Sequence, residues 1–146
     1  MTLHYTTVGL DVHEGRRSRG TQLAMLLVVI ALGLASRAYA AHLPVFVARY
    51  AGDTLWATAV FLLLGLIRPT ARTIHLALGA AVIALVVEMS QLAHPDWLEA
   101  LRRQPGVGLI LGYDFVASDL ACYTVGILIG AAVDRGVVLR PDPDLA

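Results

Sequence analysis

The sequence predicts an all-α fold, a four-helix transmembrane bundle, and three observations predict it. The 146-residue chain is 58% hydrophobic and 15% charged, with a mean hydropathy of +0.70, more apolar than a water-soluble domain of this size. Its apolar residues gather into four stretches separated by short polar breaks, the pattern of helices that satisfy their own backbone in lipid. The cations, 11 in number and all arginine, fall unevenly among those breaks, which orients the bundle. They balance 11 acids, so no net field points to nucleic acid, and none is expected as a partner. The sole cysteine, Cys122, lies in an apolar run and reads as an inert buried hydrophobe.

The organisation follows from these breaks. Residues 1–20 form a polar cytoplasmic segment, 21–136 the four-helix membrane domain, and 137–146 a polar cytoplasmic tail. The first segment, Gln22 to Ala41, has a rival reading as a secretory signal peptide. Its arginines precede an apolar stretch, and Ala38-Tyr39-Ala40 matches a small-x-small cleavage pattern. Three further spanning segments favour an uncleaved anchor. The second segment, Thr54 to Ile67, rises only about 21 Å at ~1.5 Å per residue, short of a ~30 Å hydrocarbon core, so it must borrow flanking residues. Trp56 near its start reads as an interfacial anchor, and Asp53 as a helix N-cap.

The third segment runs from Thr73 to Leu92 and the fourth from Phe115 to Val133. Between them "HPDWLEALRRQPG" reads as a short interfacial helix: Asp96 and Glu99 suit its N-terminal end, Arg102 and Arg103 its C-terminal end, and Pro105-Gly106 stops it. Trp97, Leu98 and Leu101 supply an apolar stripe for the headgroup region. The glycine-rich "GVGLILGYDF" then permits an irregular backbone before the fourth helix. Gly126-x-x-x-Gly130 suits close packing, either within the bundle or between copies in a homo-oligomer.

Arg16, Arg17, Arg19, Arg68, Arg72, Arg135 and Arg140 fall on one side, and Arg49, Arg102 and Arg103 on the other. The positive-inside rule then places both termini in the cytoplasm, as for a multi-pass membrane protein. In that topology Arg37, Asp53, Glu88 and Asp119 share one depth beneath the outer interface. Glu88 lies roughly 6 Å below Leu92, and Asp119 roughly 6 Å below Phe115. A charge at the membrane centre costs about 2.5 to 3.5 kcal/mol, so these groups should face inward and satisfy one another. Gln91 lies one turn beyond Glu88 on the same face, and Tyr123 one turn after Asp119, as a hydrogen-bond partner to it or as core.

These residues resemble a known family. The order "GLASR", "YAGDTLWA", "EMSQL", "WLEALR" and "LGYDFVASDL" is similar to domain of unknown function 2809, a family of small four-helix bacterial inner-membrane proteins, over roughly Gly33 to Asp134. More distantly, E-x-x-Q followed by Arg and an Asp leading the last helix resembles the VanZ-like proteins, some linked to glycopeptide-antibiotic resistance. The longer insert from His94 to Gly112 departs from that pattern. By position the resemblance implies a shared set here of Arg37, Asp53, Trp56, Glu88, Gln91, Arg102, Phe115, Asp119 and Tyr123.

The expectation is therefore an outward-facing polar and acidic pocket that binds an envelope lipid headgroup or cationic group. Glu88 and Asp119 would be the acceptors, Gln91 and Tyr123 the orienting groups, Arg37 and Arg102 the charge balance, and Asp53 a neighbour. Membrane lipid and an envelope lipid or small-molecule ligand are the expected partners. Two alternatives stand beside it: a structural or assembly subunit whose charges only lock helix packing, and a small ion-coupled transporter. No nucleophile motif, phosphate loop or cofactor fingerprint occurs, so neither catalytic residues nor a cofactor are assigned, and catalysis has no support in the residues. His42 and His94 lack metal-ligand spacing, and no metal is assigned.

Overall fold

The computed structural model describes residues 17–112 and 116–138. Most of the polar N-terminal segment, most of the tail, and Phe115 of the family-matched set lie outside those residues. Four long helices carry the fold: α1 (Arg19–Ala38), α2 (Val45–Ile67), α3 (Thr73–Gln91) and, after two short helices, α6 (Ala117–Val133). The short ones are α4 (Asp96–Arg102) and α5 (Val107–Leu111). A 3-10 turn at Ala40–His42 joins α1 to α2, and a π turn at Asp134–Val138 extends α6. No strand occurs among the described residues.

Each span is long and apolar enough to cross a bilayer. What is inside them decides the environment. Large apolar side chains face outward, as with Leu27, Val86 and Leu128, while the buried positions include Gln22, Thr58, Thr73, Glu88 and Gln91 with Ala57, Ala80, Ala84, Gly126 and Gly130. That is the inverse of a water-soluble bundle and the expected order in lipid, where small residues let helices approach and polar ones bond between them. The chain is a multi-pass membrane protein.

Helix α2 is central, packing against α1, α3 and α6, with α3 also against α6. Its core residues Ala57, Phe61 and Leu62 meet Leu26, Leu76, Ala80, Ala84, Tyr123 and Ile127. Gly126 and Gly130 make the tightest approach: a Cβ at Gly126 would run into the Thr54 carbonyl oxygen, and one at Gly130 would lie 2.8 Å from the Phe61 ring. Thr58 Oγ1 adds a hydrogen bond to Gly126 O at 2.9 Å. The small-residue pair is thus occupied inside the chain.

Helix α2 differs from the sequence reading in its start. It begins at Val45 rather than near Thr54, so Asp53 is no N-cap but a mid-helix residue, and Trp56 lies well inside the span. The helix runs through Arg49 and Asp53 because a broken backbone in lipid would strand N–H and C=O groups, and 23 residues reach about 34 Å, enough for the whole hydrocarbon core. The N-cap position belongs to Pro44 instead.

The start of α1, the start of α3 and the end of α6 are tied by a cluster the sequence reading did not anticipate. Arg17 Nε and NH2 each donate to Asp134, at 2.6 Å to Oδ1 and 2.6 Å to Oδ2. Thr73 Oγ1 donates to Asp134 Oδ2 at 2.8 Å and accepts from Arg17 NH2 at 3.1 Å. Arg17 NH1 also donates to the carbonyls of Pro69, at 3.3 Å, and Ala71. Arg17, counted from the sequence among the arginines on the side of the termini, is buried.

Candidate functional site

The opposite end of the bundle builds a different arrangement. The last turn of α1 carries Arg37, whose NH2 donates to Asp53 Oδ1 on α2 at 3.2 Å. Gly52 makes room for it, since a Cβ there would sit 2.9 Å from Arg37 Nε. One turn further along α2, Trp56 lies against Tyr123 of α6 with ring centroids 5.4 Å apart.

Tyr123 in turn faces α3. Its hydroxyl donates to Glu88 Oε2 at 3.0 Å, and the backbone N–H of Val116, just ahead of α6, donates to Glu88 Oε1 at 3.2 Å. Both carboxylate oxygens are therefore satisfied on a fully buried side chain. The local reason is general: the start of a helix presents orphan N–H groups and positive dipole character, and an anion there is stabilised. Tyr123 serves Glu88 rather than Asp119, the partner weighed from sequence.

Gln91 reaches α5. Its Nε2 donates to Leu111 O at 2.9 Å, past Gly112, whose missing Cβ would otherwise collide with the amide. That hydrogen bond fixes the amide orientation. Gln91 Oε1 is left buried with no hydrogen-bond partner among the described residues. Helix α5 itself is bracketed by Gly106 at φ 84° and Gly112 at φ 65°, two turns that only glycine makes without strain.

A cleft of about 510 Å³ opens among these elements, lined by Arg37, Asp53, Trp56, Gln91, Asp119 and Tyr123 together with Arg103 and the α4–α5 segment. Five of the seven residues singled out from sequence thus meet at one cavity. Glu88 lies behind Tyr123, outside the lining. Arg102 lies elsewhere: buried, it donates to Ser90 O at 2.6 Å, Ala93 O at 3.2 Å and Glu99 Oε1 at 2.7 Å. It holds carbonyls at and just beyond the end of α3, where the regular helical hydrogen bonding runs out, and the neighbouring Arg103 takes the cleft position. Of the proposed apolar stripe on α4, Leu98 is buried while Trp97 and Leu101 are exposed.

The lining balances two arginines, Arg37 and Arg103, against two aspartates, Asp53 and Asp119. Arg37 and Asp53 engage each other, and among the described residues Asp119 accepts only from its neighbour Ser118, at 3.3 Å. Among the described residues no group of three His, Cys, Asp or Glu side chains gathers as metal donors. The arrangement offers hydrogen-bond acceptors and both signs of charge to an occupant.

The sequence model of the family described as protein of unknown function (DUF2809) matches residues 42–127, more than half of the chain. The chain belongs to this family. The DUF2809 match covers α2 through most of α6 and so contains every cleft residue named above except Arg37. No solved structure matches the chain.

Proposed function

We propose that this DUF2809 protein binds, in the outward-facing cleft, a polar headgroup bearing an amine or other cationic group that donates hydrogen bonds. The observation that carries it is Asp119, a half-buried carboxylate on the cleft wall whose side chain, among the described residues, accepts a hydrogen bond from its neighbour Ser118 alone, at 3.3 Å. A carboxylate so weakly engaged keeps acceptor capacity, and an ammonium group supplies N–H donors to it. A cavity of about 510 Å³ falls within the ~300–1,000 Å³ of small-molecule sites. An envelope lipid at the outer leaflet of a bacterial inner membrane is the reading, with both termini cytoplasmic and α4 lying in the outer interface over the cleft. The arginine distribution supports that orientation. An uncleaved first helix is supported by what cleavage after Ala40 would remove: Leu26 from the core, the Gln22 hydrogen bond to Leu62 O at 2.9 Å, and Arg17 from Asp134.

Mass spectrometry of lipids that copurify with the wild type and with Asp119→Asn tests this. Amine-bearing lipids should be enriched with the wild type and fall to the bulk membrane ratio in the variant at equal protein abundance. An identical lipid profile in both would reject the reading. For Glu88 the structural alternative has its own observation. Both oxygens are already engaged, so this carboxylate locks α3 to α6 rather than meeting the occupant.

A further inference from the structure

Beside the polar cleft runs an apolar groove of about 520 Å³ on the flank of α2, with α1 on one wall and α3 on the other. Its α1 wall extends from Leu26 to Arg37, about 16 Å along the helix axis or half the hydrocarbon core. Ile83 and Val87 form the α3 wall. The groove and the cleft share four lining residues, Arg37, Trp56, Leu109 and Ile110, so the two cavities adjoin. A polar chamber beside an apolar channel of this length matches one class of molecule, an amphiphile. The charges on the polar side narrow it further. Two arginines and two aspartates suit a zwitterion better than a simple cation, with a phosphate for Arg103 and an amine for Asp119.

We infer that the occupant is a phospholipid with a primary-amine zwitterionic headgroup in the cleft and one acyl chain in the groove between α1 and α3. This rests on the headgroup reading above and adds the phosphate and the chain. Trp56 stands where the two cavities adjoin. It therefore reports on the first carbons of that chain.

The experiment uses the full-length protein with Trp97→Phe, leaving Trp56 as the remaining tryptophan of 2. It is placed in phosphatidylcholine vesicles doped with a small share of acyl-brominated phosphatidylethanolamine, phosphatidylcholine or phosphatidylglycerol. Bromine near the carbonyl end should quench Trp56 as though the ethanolamine lipid were enriched about tenfold over its bulk share, because choline has no N–H to donate and glycerol no cation. Gly33→Leu should abolish that excess. A Cβ at Gly33 meets Leu55 Cβ at 3.7 Å, an ordinary contact, so the backbone tolerates it. Ile83→Phe fills the groove from the opposite wall and carries the test if Gly33→Leu does not fold, while Val86→Phe, on an exposed face outside the groove, should leave quenching unchanged. Quenching equal to the bulk share and insensitive to both groove variants would overturn the chain assignment, even where Asp119-dependent copurification of amine lipids stood. Quenching that the groove variants abolish but that is the same for all three headgroups would overturn the headgroup assignment and the cleft reading with it.

Discussion

The two ends of the bundle each hold an arginine–aspartate pair, and they differ in almost every physical respect. Where α1 and α3 start, Arg17 and Asp134 meet through two contacts of 2.6 Å, with side chains 1% and 0% exposed and Thr73 closing the ring. At the opposite end Arg37 and Asp53 meet through a single contact of 3.2 Å, with side chains 40% and 27% exposed and a cavity beside them. A saturated, enclosed pair has no capacity for a new partner and fixes how helix ends meet. A loose pair at a cavity can exchange partners with an occupant at small cost. Residue type is the same at both ends; enclosure separates a clasp from a site.

The largest test of that contrast is Arg17→Ala. It leaves Asp134 buried without its cation and should lower stability by about 3–5 kcal/mol, seen as loss of abundance and a lower detergent melting temperature. A silent Arg17→Ala would erase the distinction. Next, Gly130→Leu forces a side chain into the Phe61 ring and should cost about 1–3 kcal/mol or more, through separation of α2 from α6. Cysteine cross-linking across that interface would report it. Tyr123→Phe removes one of the two donors to Glu88 and should cost roughly 1–3 kcal/mol, more than Glu88→Gln, whose oxygen still accepts from the Val116 N–H while its NH2 donates to the rotatable Tyr123 hydroxyl. Thermal denaturation of the two variants side by side gives the order. The smallest stability change belongs to Asp53→Asn, under about 1 kcal/mol for so exposed a pair, while its lipid selectivity should change. If Asp53→Asn melted as early as Arg17→Ala, the Arg37–Asp53 pair would be a second clasp.

Several features were legible before any coordinates. Apolar stretches gave the four spans to within a few residues at most ends, because lipid imposes a long, uninterrupted run on any helix that crosses it. Charges within those runs marked the cleft residues Arg37, Asp53 and Asp119, since a carboxylate or guanidinium in an apolar segment must face something polar. The start of α2 was not legible, because hydropathy dips at Arg49 and Asp53 while the helical backbone continues. Arg17 and Asp134 were not legible either. Each sits just outside an apolar run, where a solvated charge and a buried one look alike, and their pairing joins positions 117 residues apart. The choice between Arg102 and Arg103 turned on helix phase. A rotation of one residue, about 100° at ~3.6 residues per turn, puts one guanidinium on the carbonyls of α3 and the other at the cleft.

By itself the sequence determined the environment, the number of spans and which charges lie at membrane depth, because each follows from local composition against a fixed hydrocarbon thickness. It also carried the family. Only the tertiary structure decided which acid meets which base, that Glu88 is closed off by Tyr123 and Val116, and that a polar cleft adjoins an apolar groove at Trp56. Those are relations between helices, set by rotation and packing distance, and no single segment encodes them.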